Sequence, residues 1–232
     1  MNSQFDPAVE LTDFSGTAPI FPLPHVVLFP HLSLPLHVFE ERYRQLAADV
    51  LAGERLIALA LLQPGWEPHY DQRPPTHQMT CLGRIIAEER LPSGRFNIVV
   101  KGVARAAQID EPATATPYRV GRFEIYRDFY DRAPLHDRDQ RRCELVQAFR
   151  RLFPRFRHDP MFTQIMEADI PLGVLCDLLA NVLRIGAAKK QEILEELEVD
   201  KRSDLVLALA RDLAAPTPEI EPDRFPPRFS LN

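Results

Sequence analysis

The spacing of apolar residues changes once along this chain, near Asp131, and that change restricts it to an α+β architecture. Upstream of Asp131 the apolar residues come in short β-favouring runs broken by Pro and Gly. Downstream they recur at helical spacing. The upstream part carries one exception, a helical stripe of Phe39, Tyr43, Leu46 and Val50 at i, i+4, i+7 and i+11, with Gly53 placed to end it in a left-handed conformation. The order in residues 21–43, FPLPHVVLFPHLSLPLHVFEERY, is informative in detail. A Pro-bounded strand is predicted at 26–29, stopped by Pro30. A second is predicted at 34–38, running into a helix opened by Phe39, Glu40 and Glu41. Pro22, Pro24, Pro30 and Pro35 mark edges and bends, because proline cannot donate to a central ladder.

Further strands follow. The unbroken apolar run at 56–62 suits a strand buried on both faces. Strands at 79–91 and 95–101 flank Pro92-Ser93-Gly94, a hairpin turn in which Pro presets φ and Gly supplies φ > 0. Gly102 is expected to break the ladder, with strands resuming at 103–109 and 118–126. About seven short strands and one inserted helix describe a small barrel or sandwich. Beyond Asp131, four helical stripes are predicted: Leu145, Val146, Phe149, Leu152 and Phe153, ended by Pro154; Leu172, Leu175, Leu178, Leu179, Val182 and Leu183; Ile193, Leu194 and Leu197; and Leu205, Val206, Leu209 and Leu213. Four helices with short links form a bundle. The organisation is thus a barrel at 18–128, a bundle at 135–214, and extended tails at 1–17 and 216–232, the second with five prolines.

Composition narrows the function classes. A net charge of −5 gives no global field for nucleic acid or an anionic membrane. Cys81, Cys143 and Cys176 are odd in number, far apart and without a C-x-x-C pair. That pattern suggests neither a disulfide framework nor a structural zinc, and it fits a reducing compartment. Cys143 and Cys176 read as small core residues. The first residues, MNSQFDPAVELTDF, lack the basic-then-apolar order of a secretory signal. The apolar run at 56–62 is too short to span a bilayer. These features together predict a cytoplasmic protein.

Three blocks resemble the substrate-recognition, amino-terminal domain of ATP-dependent Lon proteases in its stand-alone form. They are the stretch at 21–43, LGRIIAEERLPSGRFNIVVKGVARA at 82–106, with its Leu-Pro-x-Gly turn and closing Gly-x-x-Arg, and PLGVLCDLLANVLRIGAAKKQEILEELEVDKRSDLVLALARDL at 171–213. The resemblance implies a PUA-like β pseudo-barrel followed by a C-terminal helical bundle. It further implies a role in holding unfolded or partly unfolded protein segments or peptides, with a protease or chaperone as a partner. Two positions depart from the family pattern: His25, where a different polar and often acidic residue is usual, and His31, often Gly. Neither a G-x-x-x-x-G-K-[ST] phosphate loop nor a Ser–Lys dyad is present in the sequence, so the recognition piece is expected without motor or protease.

Other chemistry is poorly supported by the sequence. His25, His31 and His37 share no face on Pro-interrupted strands. His69, Asp71 and His77 lie in one polar loop where solvated histidines are usual. Cys143, His158 and Cys176 are scattered between helices. No serine stands in a nucleophile elbow. Glu40-Glu41 suits a helix N-terminus, and Glu88-Glu89 would face opposite sides of a strand. The expectation is no catalytic residue, no metal and no cofactor. Residues 138–157 hold seven arginines against Asp139 and Glu144. They read chiefly as a solvated helix face, with RNA binding through Arg141, Arg142 and Arg150 as the alternative function. The strands offer no aromatic and basic platform for single-stranded RNA. The loop at 63–78 is the preferred recognition element. Trp66, His69 and Tyr70 sit among Pro64, Pro68, Pro74 and Pro75, which limit its freedom, although Trp66 could equally fold back to cap the barrel.

Overall fold

In a computed structural model residues 11, 12, 14–154 and 170–214 are described. The expected extended tails lie outside these residues, except for the few before Ala18, and so do Arg155, Arg157 and His158. Six strands and five α-helices are found among the described residues. The strands are β1 Thr17–Leu23, β2 Ser33–Val38, β3 Leu56–Leu61, β4 Met79–Arg90, β5 Phe96–Asp110 and β6 Arg119–Tyr126. Helix α1, Glu41–Leu51, lies among them; α2 Arg138–Leu152, α3 Leu172–Val182, α4 Ala187–Glu195 and α5 Val199–Ala214 follow them. The fold class is α+β, as the change of period requires.

The long strand β5 closes the barrel. One edge pairs with β4 from Phe96 to Ala107, with two register shifts, while the other pairs with β2 over its first half and β6 over its second. β6 then pairs with β1, β1 runs parallel to β3, and β3 returns to β4, so the ring β1-β3-β4-β5-β6 has no free edge. β2 is left as an edge strand, where Pro35 needs no ladder donor. β3 is buried at every position: Ile57 and Leu59 pack with α1, while Leu56, Ala58 and Ala60 join Ile20, Leu82 and Phe123 on the other face.

Several expectations are corrected. Residues 26–29 form no ladder. They are pinned by their side chains instead, with Val27 and Phe29 in the bundle core and Leu28 in the core under α1. β5 runs on through Gly102, although its ladder with β4 shifts register there, between Leu82 and Gly83. A Cβ on Gly102 would lie 2.2 Å from the Phe29 carbonyl oxygen, so glycine is what lets the 29–32 turn lie against the strand. That turn is fastened by His31 N–H to the Gly102 carbonyl (2.8 Å) and Gly102 N–H to the Leu32 carbonyl (2.7 Å). His31 has φ 67°, a left-handed conformation, at one of the two positions where the sequence departs from the family pattern. α1 starts at Glu41, and Phe39 is 59% exposed rather than on the buried face. Arg55, with φ 60°, and not Gly53, takes the left-handed position after α1; Gly94, with φ 75°, turns the β4–β5 hairpin as expected.

In the bundle, α5 buries Val199, Arg202, Ser203, Val206, Leu207 and Ala210, so Leu205 and Leu213 point outward. Val182 and Cys143 are exposed as well, whereas Cys176 is a core residue.

Charged groups join the two parts. Arg105 on β5 meets Asp177 on α3 through two bonds of 2.6 and 2.9 Å and donates to the Leu194 carbonyl (2.9 Å). Arg202 on α5 bonds Asp128 at 2.7 Å and the Glu196 carbonyl at 2.8 Å. Phe129 exchanges backbone bonds with Leu197 and Val199. Burial alone would raise the Asp128 carboxyl, but Arg202 and Arg105 outweigh it and hold the group below the usual carboxylate range. Because Arg105, Asp177 and Arg202 are almost fully buried, Arg105→Ala should cost about 3–5 kcal/mol in urea unfolding, leaving Asp177 and Asp128 to share the single Arg202. A cost within the ~0.5 kcal/mol of an ordinary surface substitution would contradict the network's role. The Asp128 contribution is present above the unfolded carboxylate range and is lost as pH falls through its lower folded value. Asp128→Asn should therefore lose less stability than the wild type on acidification; parallel curves would show that Asp128 adds nothing.

Candidate binding cleft

The cleft is built outward from the start of α1. Glu40 occupies the N-cap position with extended backbone (φ −66°, ψ 139°), but its side chain does not cap the helix. Its carboxylate reaches the 63–78 loop instead. Tyr70 Oη donates to Glu40 Oε1 at 2.5 Å, while Arg42 donates to Oε2 from Nε (3.1 Å) and Nη2 (2.9 Å). The Arg42 guanidinium lies 4.7 Å from the Tyr43 ring centroid and 5.1 Å from that of Tyr70, and Arg42 Nη2 donates to the Tyr70 carbonyl. Burial, then Glu40, raises the Tyr70 phenol, which keeps it a donor.

The far end of the loop is tied to the barrel. Arg119 forks onto Glu111 and donates to the Pro74 carbonyl at 2.8 Å, and Arg73 reaches Glu111 at 3.2 Å. Between these anchors lies a cleft of about 280 Å3. Pro22, Pro74 and Pro117 line it together with Tyr43, Tyr70 and Tyr118 and the side chains of Arg42, Arg73 and Arg119. Tyr118 Oη donates to Asp49 at 2.7 Å, and burial followed by that carboxylate pushes the phenol up to about 12.

The structure brings the expected loop residues together. Trp66 opens a single 3-10 turn, Glu67–His69, and its ring meets Tyr70 edge-on at 5.4 Å and His25 at 6.0 Å. Trp66 and Tyr70 are half-buried and His69 is exposed. The arginines of α2 are arranged differently. Arg138 pairs with Asp200, Arg141 with Asp204 at 2.8 Å and with Glu144, and Arg142 donates to the Ile170 carbonyl, while Arg150 is half-buried near the helix end. These pairs spend the charge inside the bundle, which is why they make a poor row for phosphates. The polar residues that could suggest chemistry are likewise engaged. His77 faces Glu195 (3.2 Å), Glu88 pairs with Arg55, and Glu89 accepts from Asn97. Sequence reasoning missed Arg42, Tyr43, Tyr118 and Arg119, which lie far from the loop in sequence. The one available signal was polar or aromatic residues inside otherwise apolar elements.

The structure is thus a closed barrel with an anchored aromatic loop at its rim, backed by a bundle. The family model for the ATP-dependent protease La (LON) substrate-binding domain matches residues 17–212, and the chain belongs to that family. It is 27% identical over 192 residues to the Lon protease of Dictyoglomus thermophilum, covering 82% of this chain and 24% of that protein. Similarity to the Lon protease of Syntrophus aciditrophicus is 27% identity over 191 residues, 79% of this chain and 23% of that one. The chain thus spans about a quarter of the length of these relatives. Among solved structures, the N-terminal domain of Mycobacterium avium complex Lon protease superposes with a TM-score of 0.66 at 15% identity, covering 84% of this chain and 98% of that one. A Lon N-terminal domain protein from Xanthomonas campestris gives 0.61 at 19% identity, covering 83% and 97%. Both show the same fold.

The Tyr70–Glu40 bond is the side-chain hydrogen bond of Tyr70 to the head of α1, beside the Arg42 bond to its carbonyl, so Tyr70→Phe should speed amide exchange across residues 66–77 while global unfolding shifts little. Unchanged exchange there would show that the loop is held by other contacts.

Proposed function

We propose that the chain is a cytoplasmic, non-catalytic module that binds unfolded or partly unfolded protein segments and peptides. The observation that carries this is the match of a substrate-binding domain over residues 17–212. The 63–78 loop is the proposed contact surface, with Trp66, His69 and Tyr70 as its side chains. Trp66 and Tyr70 each combine a large apolar face with a polar group, the composition of binding hot spots. Tyr70 is held in advance by Glu40 and Arg42, and Trp66 packs edge-on against it, which lowers the ordering cost on binding. A protease or chaperone is the proposed downstream partner, by analogy with the whole Lon proteins that the chain matches over a quarter of their length. The absence of a catalytic role is supported by Glu40 and Glu88, both committed to structural pairs. A reducing cytoplasm suits three free cysteines, two of them buried. No described helix is long and apolar enough to cross a membrane.

Fluorescence anisotropy with a labelled, reduced and carboxymethylated protein tests this directly. Wild type should bind it weakly, and Trp66→Ala and Tyr70→Ala should each weaken binding by about 1–2 kcal/mol. If wild type does not bind at all, the function is wrong. If both variants bind as wild type does, the loop is not the contact surface.

A further inference from the structure

One edge of β2 is open. Among the described residues β2 pairs with β5 alone, from Ser33↔Lys101 to Val38↔Phe96, without a register shift. The turn before it sets which backbone groups face outward. His31 and Leu32 both stand opposite Gly102, a bulge in which His31 N–H bonds the Gly102 carbonyl and Gly102 N–H bonds the Leu32 carbonyl. From Leu32 the antiparallel alternation turns the backbone groups of Leu34, Leu36 and Val38 toward β5. The N–H groups of Ser33 and His37, and the carbonyls of Ser33, Pro35 and His37, then point away from it. No strand or turn among the described residues takes them up.

Edge strands are ordinarily guarded by charge, by bulges or by a covering element. The outer end of β4 is guarded in this way. Beyond the stretch that β3 pairs, it shifts register between Ile85 and Ala87 and carries Glu88, Glu89 and Arg90. β2, SLPLHV, has no charged residue, and its exposed positions are Ser33, Pro35 and His37. Its one guard is Pro35, which removes a single donor from the middle of the edge and leaves all three carbonyls. Two copies of β2 paired antiparallel about Pro35 would set proline against proline, with no hydrogen bond at the centre. The edge therefore loses least with a strand from a different chain.

Main-chain donors and acceptors at two-residue spacing are matched by an extended backbone, whose own N–H and carbonyl groups repeat at that spacing. The side chains favour the same occupant. Leu34 and Leu36, half-buried against the core under α1, offer apolar contact to one face of an added strand, while Ser33, Pro35 and His37 leave the other face in water. At the end of β2, Phe39 is exposed and stacks on His37, next to the Glu40 that holds Tyr70. The edge thus leads directly to the element that anchors the 63–78 loop. We propose that β2 takes an extended segment of a partner polypeptide as an added strand, bound through the outward N–H groups of Ser33 and His37 and the carbonyls of Ser33, Pro35 and His37. The assignment rests on the segment-binding function above and states how the main chain of the segment is held.

The test uses the full chain and a fluorescein-labelled peptide amide of about eight alternating Thr and Val residues, long enough to cover β2, followed by anisotropy. A version methylated at every backbone nitrogen has the same side chains and no main-chain donors. The unmodified peptide should bind and the methylated one should not. Pro35→Ala supplies the missing donor and should tighten binding by roughly threefold to tenfold, the worth of one hydrogen bond. His37→Pro removes an outward donor and should weaken binding by a similar factor. His37→Ala keeps that donor and loses only the ring, so its binding should stay within about twofold of wild type. Pro35→Ala keeps the test decisive if His37→Pro does not fold. Four results would overturn the assignment: no binding of the unmodified peptide, equal binding of the methylated one, no gain in Pro35→Ala, or equal losses in His37→Pro and His37→Ala. A dimer in sedimentation equilibrium that His37→Pro dissociates would give the edge to a second copy and overturn it as well. If the carboxymethylated protein binds while the peptide does not, the edge assignment fails and segment binding stands. If neither binds, both fail.

Discussion

Two arginines and two aspartates meet where the barrel joins the bundle, and the geometry of everything else follows from how they are satisfied. Arg105 comes from a barrel strand, Asp177 and Arg202 from two different helices, and Asp128 from the segment between the two parts. The charges balance, and carbonyls of Leu194, Glu196 and Leu197 take donors that the carboxylates leave over. Such a cluster adds little net stability over an apolar core of equal volume, but losing one member strands the others out of water. Its consequence here is geometric. Only one seating of α3 and α5 on β5 pairs all four groups, so the bundle is held in a single position against the barrel.

That seating positions the rim of the barrel. Val27 and Phe29 insert into the bundle core while Leu28, between them, packs under α1. The turn at 29–32 is fastened to Gly102, which leads directly into β2 and then to Glu40 at the head of α1. Glu40 in turn holds Tyr70, and with it the loop bearing Trp66. The 63–78 loop, the proposed contact surface, is therefore held through contiguous contacts that begin at the barrel–bundle junction. Around it the phenols of Tyr70 and Tyr118 are held protonated, the Arg42 guanidinium lies over two rings, and Glu40 is already paired.

Much of this was legible in the sequence. The period-2 runs, the Pro-Ser-Gly hairpin, the doubly buried strand at 56–61 and the helices after Asp131 follow from local rules, and the structure has them. The misses share one physical cause: tertiary contacts outweighed local preference. Residues 26–29 look like a strand because they are apolar, yet they are buried by inserting between two cores and need no ladder. Gly102 looks like a strand breaker, yet its missing side chain admits the Phe29 carbonyl. The stripe on α5 was misplaced because Arg202, a charge, belongs to the buried face. Arg105 among alanines and Asp177 among leucines carried the same hint: an isolated charge in an apolar element marks a partner elsewhere. Trp66, His69 and Tyr70 were visible as a loop, but the cleft was not, since Arg42, Tyr43, Tyr118 and Arg119 reach it only through the closing of the barrel.

The central claim is that polypeptide segments bind at the barrel rim between the 63–78 loop and the start of α1. Hydrogen–deuterium exchange of the full chain, with and without a saturating reduced and carboxymethylated protein, tests it most directly. Protection should appear together in residues 66–77, 40–43 and 117–119, with the bundle unchanged. Protection confined to α2, or none at the rim despite bound ligand, would contradict it.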